Sequence, residues 1–278
     1  MREPPFGTFA LPALLEGLRR TATGMGRGAV ARRLTSLIRR VCLAGRPDPI
    51  DVEPFPGQSA RLYPRDNLSE KRVFGAVQFW DFAERAALTE ALRTTSGTFT
   101  FVDAGANVGL YTLAVRSAGA IRGLAIEPDP ENLRRLSFNL AASGASEVTV
   151  AACALADQPG TIRLTAATGN RGEISVGTAE AGGEVTEVAA RPLLDVIAEA
   201  GLDRVDALKI DIEGMEEPVL AAFFARAPAK LRPGMIIIEA RRGEETPALA
   251  LLERNGYIAT QRTKLNVILT PRDEEKET

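Results

Sequence analysis

The chain has 278 residues, 45% of them hydrophobic and 25% charged, with a formal net charge of −2; this is an ordinary globular composition, long enough for one large α/β domain or a core with an extension. No apolar run approaches the roughly 18–20 residues of a membrane span, and "MREPPFGTFA" lacks the charged start and apolar core of a secretory leader, so a cytoplasmic setting is expected. Histidine is absent, which excludes imidazole as base or metal ligand. Cys42 and Cys153 are too isolated for a disulfide framework or zinc cluster and are expected to be buried small hydrophobes.

Charge is unevenly placed. Residues 1–50 hold nine arginines and three acids, net +6, which leaves −8 for the remainder. Within 11–44, Leu14, Leu15 and Leu18, then Leu34, Leu37, Ile38 and Val41, recur at helical spacing around the glycine-rich "TGMGRG". The spacing predicts two basic amphipathic helices, forming an extension over 1–50. One reading packs them on the main domain with a solvated basic face; the other docks them on anionic lipid or an acidic partner, which would make the protein membrane-peripheral.

Residues 51–98 read as a connector. Proline-punctuated "RPDPIDVEPFPGQSARLYPRDN" holds short alternating stretches that suit a small hairpin, and "FGAVQFWDFAERAALTEAL" is a helical pattern through Trp80 expected to cap the sheet.

From residue 99 strands alternate with helices. Strands are predicted at 99–103, 121–126, 147–152, 205–211, 234–239, 256–261 and 264–270, and helices at 108–118, 130–143, 192–200, 215–226 and 245–255. That order implies an α/β fold with a mainly parallel sheet covered on both faces, closed by an antiparallel hairpin of the last two strands. The core domain spans 99–271, and 272–278 form a polar tail. An insertion over 157–190, glycine- and threonine-rich, is expected to supply a lid or extra hairpin.

"FVDAGANVGL" (101–110) reads strand, tight turn, helix. In such a sheet ligands bind at the carboxyl ends of the strands. Asn107 stands where a dinucleotide-binding turn wants glycine, which disfavours a pyrophosphate and hence a nicotinamide cofactor. The second strand ends in Glu127, where a carboxylate can accept hydrogen bonds from ribose hydroxyls. Asp103 would lie beneath the same ligand, placed to meet a cationic group. Ribose, an amino acid end and no phosphate describe S-adenosylmethionine. Each residue also has a purely structural reading: Gly105 and Gly109 as backbone geometry, Asp103 as a helix cap, Glu127 as a surface acid.

In "DALKIDIEGMEEP" (206–218), Lys209, Asp211 and Glu213 alternate with apolar residues on a strand that should be wholly buried. Buried charge is costly unless paired or useful. Glu239, ending "IIIE", is expected beside them. The group reads either as a structural ion network or as an active site over the cofactor.

"FVDAGANVGLYT", "IEPDPENLRRLSFNL", "ALADQPG", "GNRG", "LKIDIEGMEEPVL" and "IIIEA" together resemble the FkbM-type family of S-adenosylmethionine-dependent methyltransferases, over about residues 80–270. The resemblance implies a seven-stranded, Rossmann-like class I methyltransferase sheet and O-methylation of hydroxyls on sugars, polysaccharides or glycosylated natural products. It places Asp103, Gly105, Asn107 and Gly109 on the methionine and ribose side, Glu127 on the ribose, Asp157 near the adenine, and Asp211, Glu213 and Glu239 near methyl transfer. The basic helices have no counterpart in its motifs.

A hydroxyl needs a proton acceptor. Asp211 or Glu239 is expected to take the proton, with Glu213 and Lys209 tuning the pair; alternatively Asp211, Glu213 and Glu239 hold magnesium or calcium. A different class of reading is a non-catalytic nucleoside-binding or scaffold module. The expected partner is a small-molecule or glycan acceptor with a free hydroxyl, and no nucleic acid.

Overall fold

The computed structural model describes residues 3–166, 174–176 and 185–272. Two helices, α1 (Ala13–Thr23) and α2 (Ala29–Leu43), precede a hairpin of β1 (Ile50–Phe55) and β2 (Gln58–Leu62). Helices α3 (Leu68–Ala76) and α4 (Phe82–Thr94) follow. The alternating region then runs β3 (Phe99–Ala104), α5 (Leu110–Ala118), β4 (Ile121–Ile126), α6 (Pro130–Ala142) and β5 (Val148–Ala151). Next come β6 (Ala154–Leu155), β7 (Gly160–Ala166), β8 (Ile174–Val176), β9 (Val185–Arg191) and α7 (Leu193–Glu199). The chain closes with β10 (Ala207–Ile210), α8 (Glu216–Arg226), β11 (Met235–Glu239), α9 (Pro247–Arg254), β12 (Tyr257–Arg262) and β13 (Asn266–Pro271).

The seven predicted strands are the seven strands of the large sheet, in the order β12-β13-β11-β10-β3-β4-β5. Strands β11, β10, β3, β4 and β5 pair in parallel, and β13 runs antiparallel between β11 and β12. Each strand feeds alternate side chains to two separate cores. Phe101, Ala125, Ala207, Ile237 and Ile268 join one face with the N-terminal elements, α4 and α5. Val102, Leu124, Leu208, Ile236 and Leu269 join the other face, under α7, α8 and α9. Burial on both faces explains why these strands read as near-continuous apolar runs, each large side chain contributing roughly 1.5–3 kcal/mol. Helix starts are fixed locally: the Asp129 side chain accepts from Asn132 N at 2.8 Å and Thr246 from Leu249 N at 3.2 Å, each before a proline.

The N-terminal elements pack differently from the periodicity. Of the seven apolar positions, Leu15 and Ile38 pack partly buried on the core, but Leu14, Leu18, Leu34, Leu37 and Val41 are exposed, while Ala22, Thr35 and Cys42 face inward. The α1–α2 hairpin is close-packed through small side chains, with Thr35 Oγ1 donating to Ala22 O at 3.5 Å, and Leu14, Leu18, Leu34 and Leu37 point outward. Cys42 and Cys153 are both buried and unpaired.

The 74–92 segment also departs from expectation, since it is not one helix. Helix α3 stops at Ala76, a 3-10 turn covers Val77–Phe79, and Asp81 takes a left-handed φ of 38° before α4. The break seats Trp80 between Tyr111, with ring centroids 4.9 Å apart, and Phe55 at 6.1 Å. Arg85 satisfies the carbonyls freed by the break, donating to Val77 O at 2.7 Å and Trp80 O at 2.9 Å.

The insertion supplies strands: β7 and β9 pair antiparallel within a second sheet, β6-β9-β7-β8. The rest of the expected lid, the "GNRG" stretch and residues 273–278 of the polar tail lie outside the described residues. No helix among the described residues is long and apolar enough to cross a membrane.

Candidate active site

Strand β10 lies beside β3 with Lys209 opposite Asp103. On both strands the odd-numbered side chains face the same core as Phe101 and Ala207, so the two charges are neighbours on one face. They sit at the carboxyl ends of the strands, where apolar cover runs out into a cavity of about 150 Å³.

Asp103 is buried, and its two oxygens are used differently. Oδ2 accepts from Thr112 N at 3.2 Å and Thr112 Oγ1 at 2.7 Å, tying the strand to α5. Oδ1 is buried without a hydrogen-bond partner. Burial raises the Asp103 carboxyl above its ordinary range, and the Lys209 ammonium opposes that rise.

The turn after β3 is pinned to β4, since Gly105 N and Ala106 N both donate to Ile126 O, at 3.0 and 2.9 Å. Asn107 adopts a φ of 52°; its Oδ1 accepts from Val108 N at 2.9 Å and from Asn67 Nδ2 at 3.0 Å, so the amide is folded back into the turn. Asn67 in turn caps α3. Gly109, at φ +84°, starts α5 against Leu136 and does not line the cavity; its place is in the backbone of the turn.

Glu127 is buried at the end of β4, with Oε2 accepting from Asn107 N at 2.8 Å and Oε1 from Asp129 N at 2.9 Å. Burial pushes its carboxyl up to about 7 against those hydrogen bonds. Asp157, expected near an adenine, is exposed and does not line the cavity. The chain leaves the wall before reaching it: Cys153, Ala154 and Leu155, with Leu164 of β7, form an apolar side there instead.

At the other end of the cavity Lys209 Nζ is 3.1 Å from Asp211 Oδ2 and 5.1 Å from the Tyr111 ring centroid. Burial alone would lower the Lys209 ammonium, but Asp211 and Asp103 reverse that and hold it above its ordinary value. Burial pushes the Asp211 carboxyl up; Lys209 overcomes this and keeps it below the usual range. Glu239 is hydrogen-bonded to Asp211, and loss of water together with the Asp211 charge raises it to about 7.

The alternation of Lys209, Asp211 and Glu213 along one strand is not realised. Strand β10 ends at Ile210, and Glu213 sits in a turn at φ 55° followed by Gly214 at φ 92°. Glu213 lines the cavity, whereas Glu239 does not and reaches it through Asp211. Among the described residues no three Asp, Glu or Cys side chains are grouped so as to hold a metal ion. As placed, Asp211, Glu213 and Glu239 do not form such a group, the turn carrying Glu213 off the strand line, and the magnesium or calcium alternative gains no support.

Sequence reasoning missed one wall. Trp80, Asp81 and Tyr111 line the cavity, and the Tyr111 hydroxyl donates to Asp81 Oδ2 at 2.8 Å. Burial raises the Asp81 carboxyl despite that bond. The only available signal was a Trp-Asp pair within a helical pattern, the place where the helix breaks.

Comparison with known proteins gives a family. The Methyltransferase FkbM domain matches residues 103–259. Methyltransferase sdnD of Sordaria araneosa is 30% identical over 191 residues, covering 58% of this chain and 74% of that protein. Among solved structures, precorrin-6y C5,15-methyltransferase from Geobacter metallireducens GS-15 is 20% identical with a TM-score of 0.41, over 67% of this chain and 86% of that one. The METTL16 MTase domain is 13% identical with a TM-score of 0.46, over 78% and 73%. With a domain match that begins at Asp103 and runs through Asp211 and Glu239, the chain belongs to the FkbM methyltransferase family.

Proposed function

We propose that the chain transfers a methyl group from S-adenosylmethionine to a hydroxyl oxygen of a sugar, polysaccharide or glycosylated natural product. When bound, this cofactor supplies an electrophilic methyl on sulfonium. The residues present fit it. The unpartnered Asp103 Oδ1 suits an ammonium group. Glu127, a buried carboxylate at the cavity with acceptor capacity beyond its Asn107, Asp129 and Asn132 donors, suits a ribose hydroxyl, and the Cys153–Leu155 wall suits a planar base.

The observation that carries the O-methyl reading is the Asp211–Glu239 carboxyl pair at the cavity. A hydroxyl is a weak nucleophile at neutral pH and needs a base whose proton affinity lies near the working pH. Two adjoining carboxyls share one proton because they resist ionising together. Asp211 faces the cavity and accepts the acceptor's proton, Glu239 behind it holds that proton, and Lys209 fixes the Asp211 carboxylate in place. Trp80 and Tyr111 cover the same space and exclude water.

The test is transfer of an isotopically labelled methyl group to a panel of sugars, amines and thiols. Label on a sugar hydroxyl, lost in Asp211→Asn while S-adenosylhomocysteine affinity persists, is expected. Label found only on amines or thiols overturns the O-methyl reading, and binding without any transfer leaves the nucleoside-binding module in its place.

A further inference from the structure

A second cavity, of about 430 Å³, lies between α2 and α3 on the far side of Trp80. Its charged lining is Arg32 and Arg39 from α2 with Lys71 and Arg72 from α3, and among the described residues no Asp or Glu lines it. Among the described residues none of these four cations makes an ion pair with a carboxylate, although arginines elsewhere in the chain are extensively paired. Four cations held together without counter-charge repel one another, and the Arg39 guanidinium is held low by burial and by Arg40 and Arg72.

The cluster is built rather than incidental. The Arg39 stem packs on Gly75, where an added Cβ would stand 3.0 Å from the Arg39 Cβ. The Arg32 guanidinium lies 5.0 Å from the Phe79 ring centroid. The Arg39 stem and the Arg32 guanidinium are thus held by the same α3 and 3-10 segment that leads into Trp80, the residue common to this cavity and the methyl-transfer cavity. Arg72 lies close enough for its charge to act on Asp81, on the catalytic side of the indole.

Resting on the O-methyl reading above, we propose that this pocket binds the phosphoryl group of the methyl acceptor, so that the substrate is a carbohydrate bearing a phosphate or diphosphate. Guanidinium forks match phosphate oxygens two at a time, and two arginines with a lysine and a further arginine supply more positive charge than one carboxylate would balance. Trp80 borders both cavities, so an acceptor held here by its phosphate is the kind whose sugar would be presented toward Asp211.

The test is calorimetric titration with inorganic pyrophosphate, with sodium acetate and with S-adenosylhomocysteine, on the wild-type chain and on Arg39→Gln/Arg72→Gln. Pyrophosphate binding that weakens by about tenfold or more in the double variant, with S-adenosylhomocysteine affinity unchanged, is the expected result. Absence of pyrophosphate binding, equal binding of acetate, or equal pyrophosphate affinity in both chains overturns the proposal. Flotation with phosphatidylglycerol vesicles provides the remaining arm: binding lost in the double variant, without pyrophosphate binding, overturns it in favour of a membrane surface. Because S-adenosylhomocysteine is titrated separately, loss of the phosphoryl site is distinguishable from failure of the methyltransferase reading.

Discussion

Gly105 lies directly against Asp211: a Cβ on the glycine would stand 1.9 Å from the Asp211 carbonyl oxygen. The contact joins the turn after β3 to the end of β10, so the cofactor-side turn and the proposed base share one backbone junction. Gly105→Ala adds both this clash and a left-handed penalty at φ +77°. The expected loss is at least about 2 kcal/mol in chemical denaturation, with S-adenosylhomocysteine binding lost in calorimetry. A variant of native stability and native affinity would show that the junction yields freely.

Glu127 gives a pH signature. Its folded value of about 7 lies above the ordinary 4.5. Between those values the unfolded chain is ionised while the folded chain keeps a proton, so raising the pH through this window reduces folding stability. Ribose hydroxyls donate best to the ionised form, and S-adenosylhomocysteine should therefore bind more tightly as pH rises through about 7. Glu127→Ala should weaken binding by about tenfold or more and remove that dependence; a flat wild-type profile would contradict the assignment.

Glu239 predicts the pH–rate profile. With its carboxyl raised to about 7 by lost water and by Asp211, the pair gains proton-accepting capacity as pH rises, and kcat should climb through that value. Asp211→Asn should lower kcat by about a hundredfold or more with little change in cofactor affinity. Glu239→Gln should abolish the rise near neutrality. Turnover should persist in EDTA, since the acids do not group as metal ligands; loss of activity reversed by added magnesium would overturn this.

Arg61 predicts stability rather than activity. It is buried, paired with Asp51 at 2.7 and 3.0 Å, donates to Pro4 O and Pro5 O, both at 3.0 Å, and lies between the Phe9 and Phe138 rings. Arg61→Ala leaves Asp51 as a buried charge without its guanidinium, and should cost about 3–5 kcal/mol in denaturant unfolding. A loss under about 1 kcal/mol would mean that water or another donor replaces the pair.

The alternating core was legible because the relevant forces are local or periodic. "FTFVDA" and "MIIIE" announce doubly buried strands by unbroken apolar runs, and the acids at their ends mark where the apolar cover stops. Asp103, Glu127, Lys209, Asp211 and Glu239 could therefore be singled out, together with a mainly parallel sheet ending in a hairpin, whereas the order of the strands came from the structure. That Asp157 stands outside the cavity lining was not legible, because motif spacing says nothing about where a chain leaves a wall.

Periodicity by itself determined the layered sheet and the carboxyl-end position of the charged residues, since each depends on neighbours a few positions apart. Tertiary structure alone decided which oxygen of Asp103 stays unpartnered, how Trp80 and Asp81 break a helix to close the cavity, and that Arg32 and Arg39 meet Lys71 and Arg72. Those outcomes turn on packing between segments distant in sequence, where desolvation and charge act through space and leave no period for a reader of the chain to find.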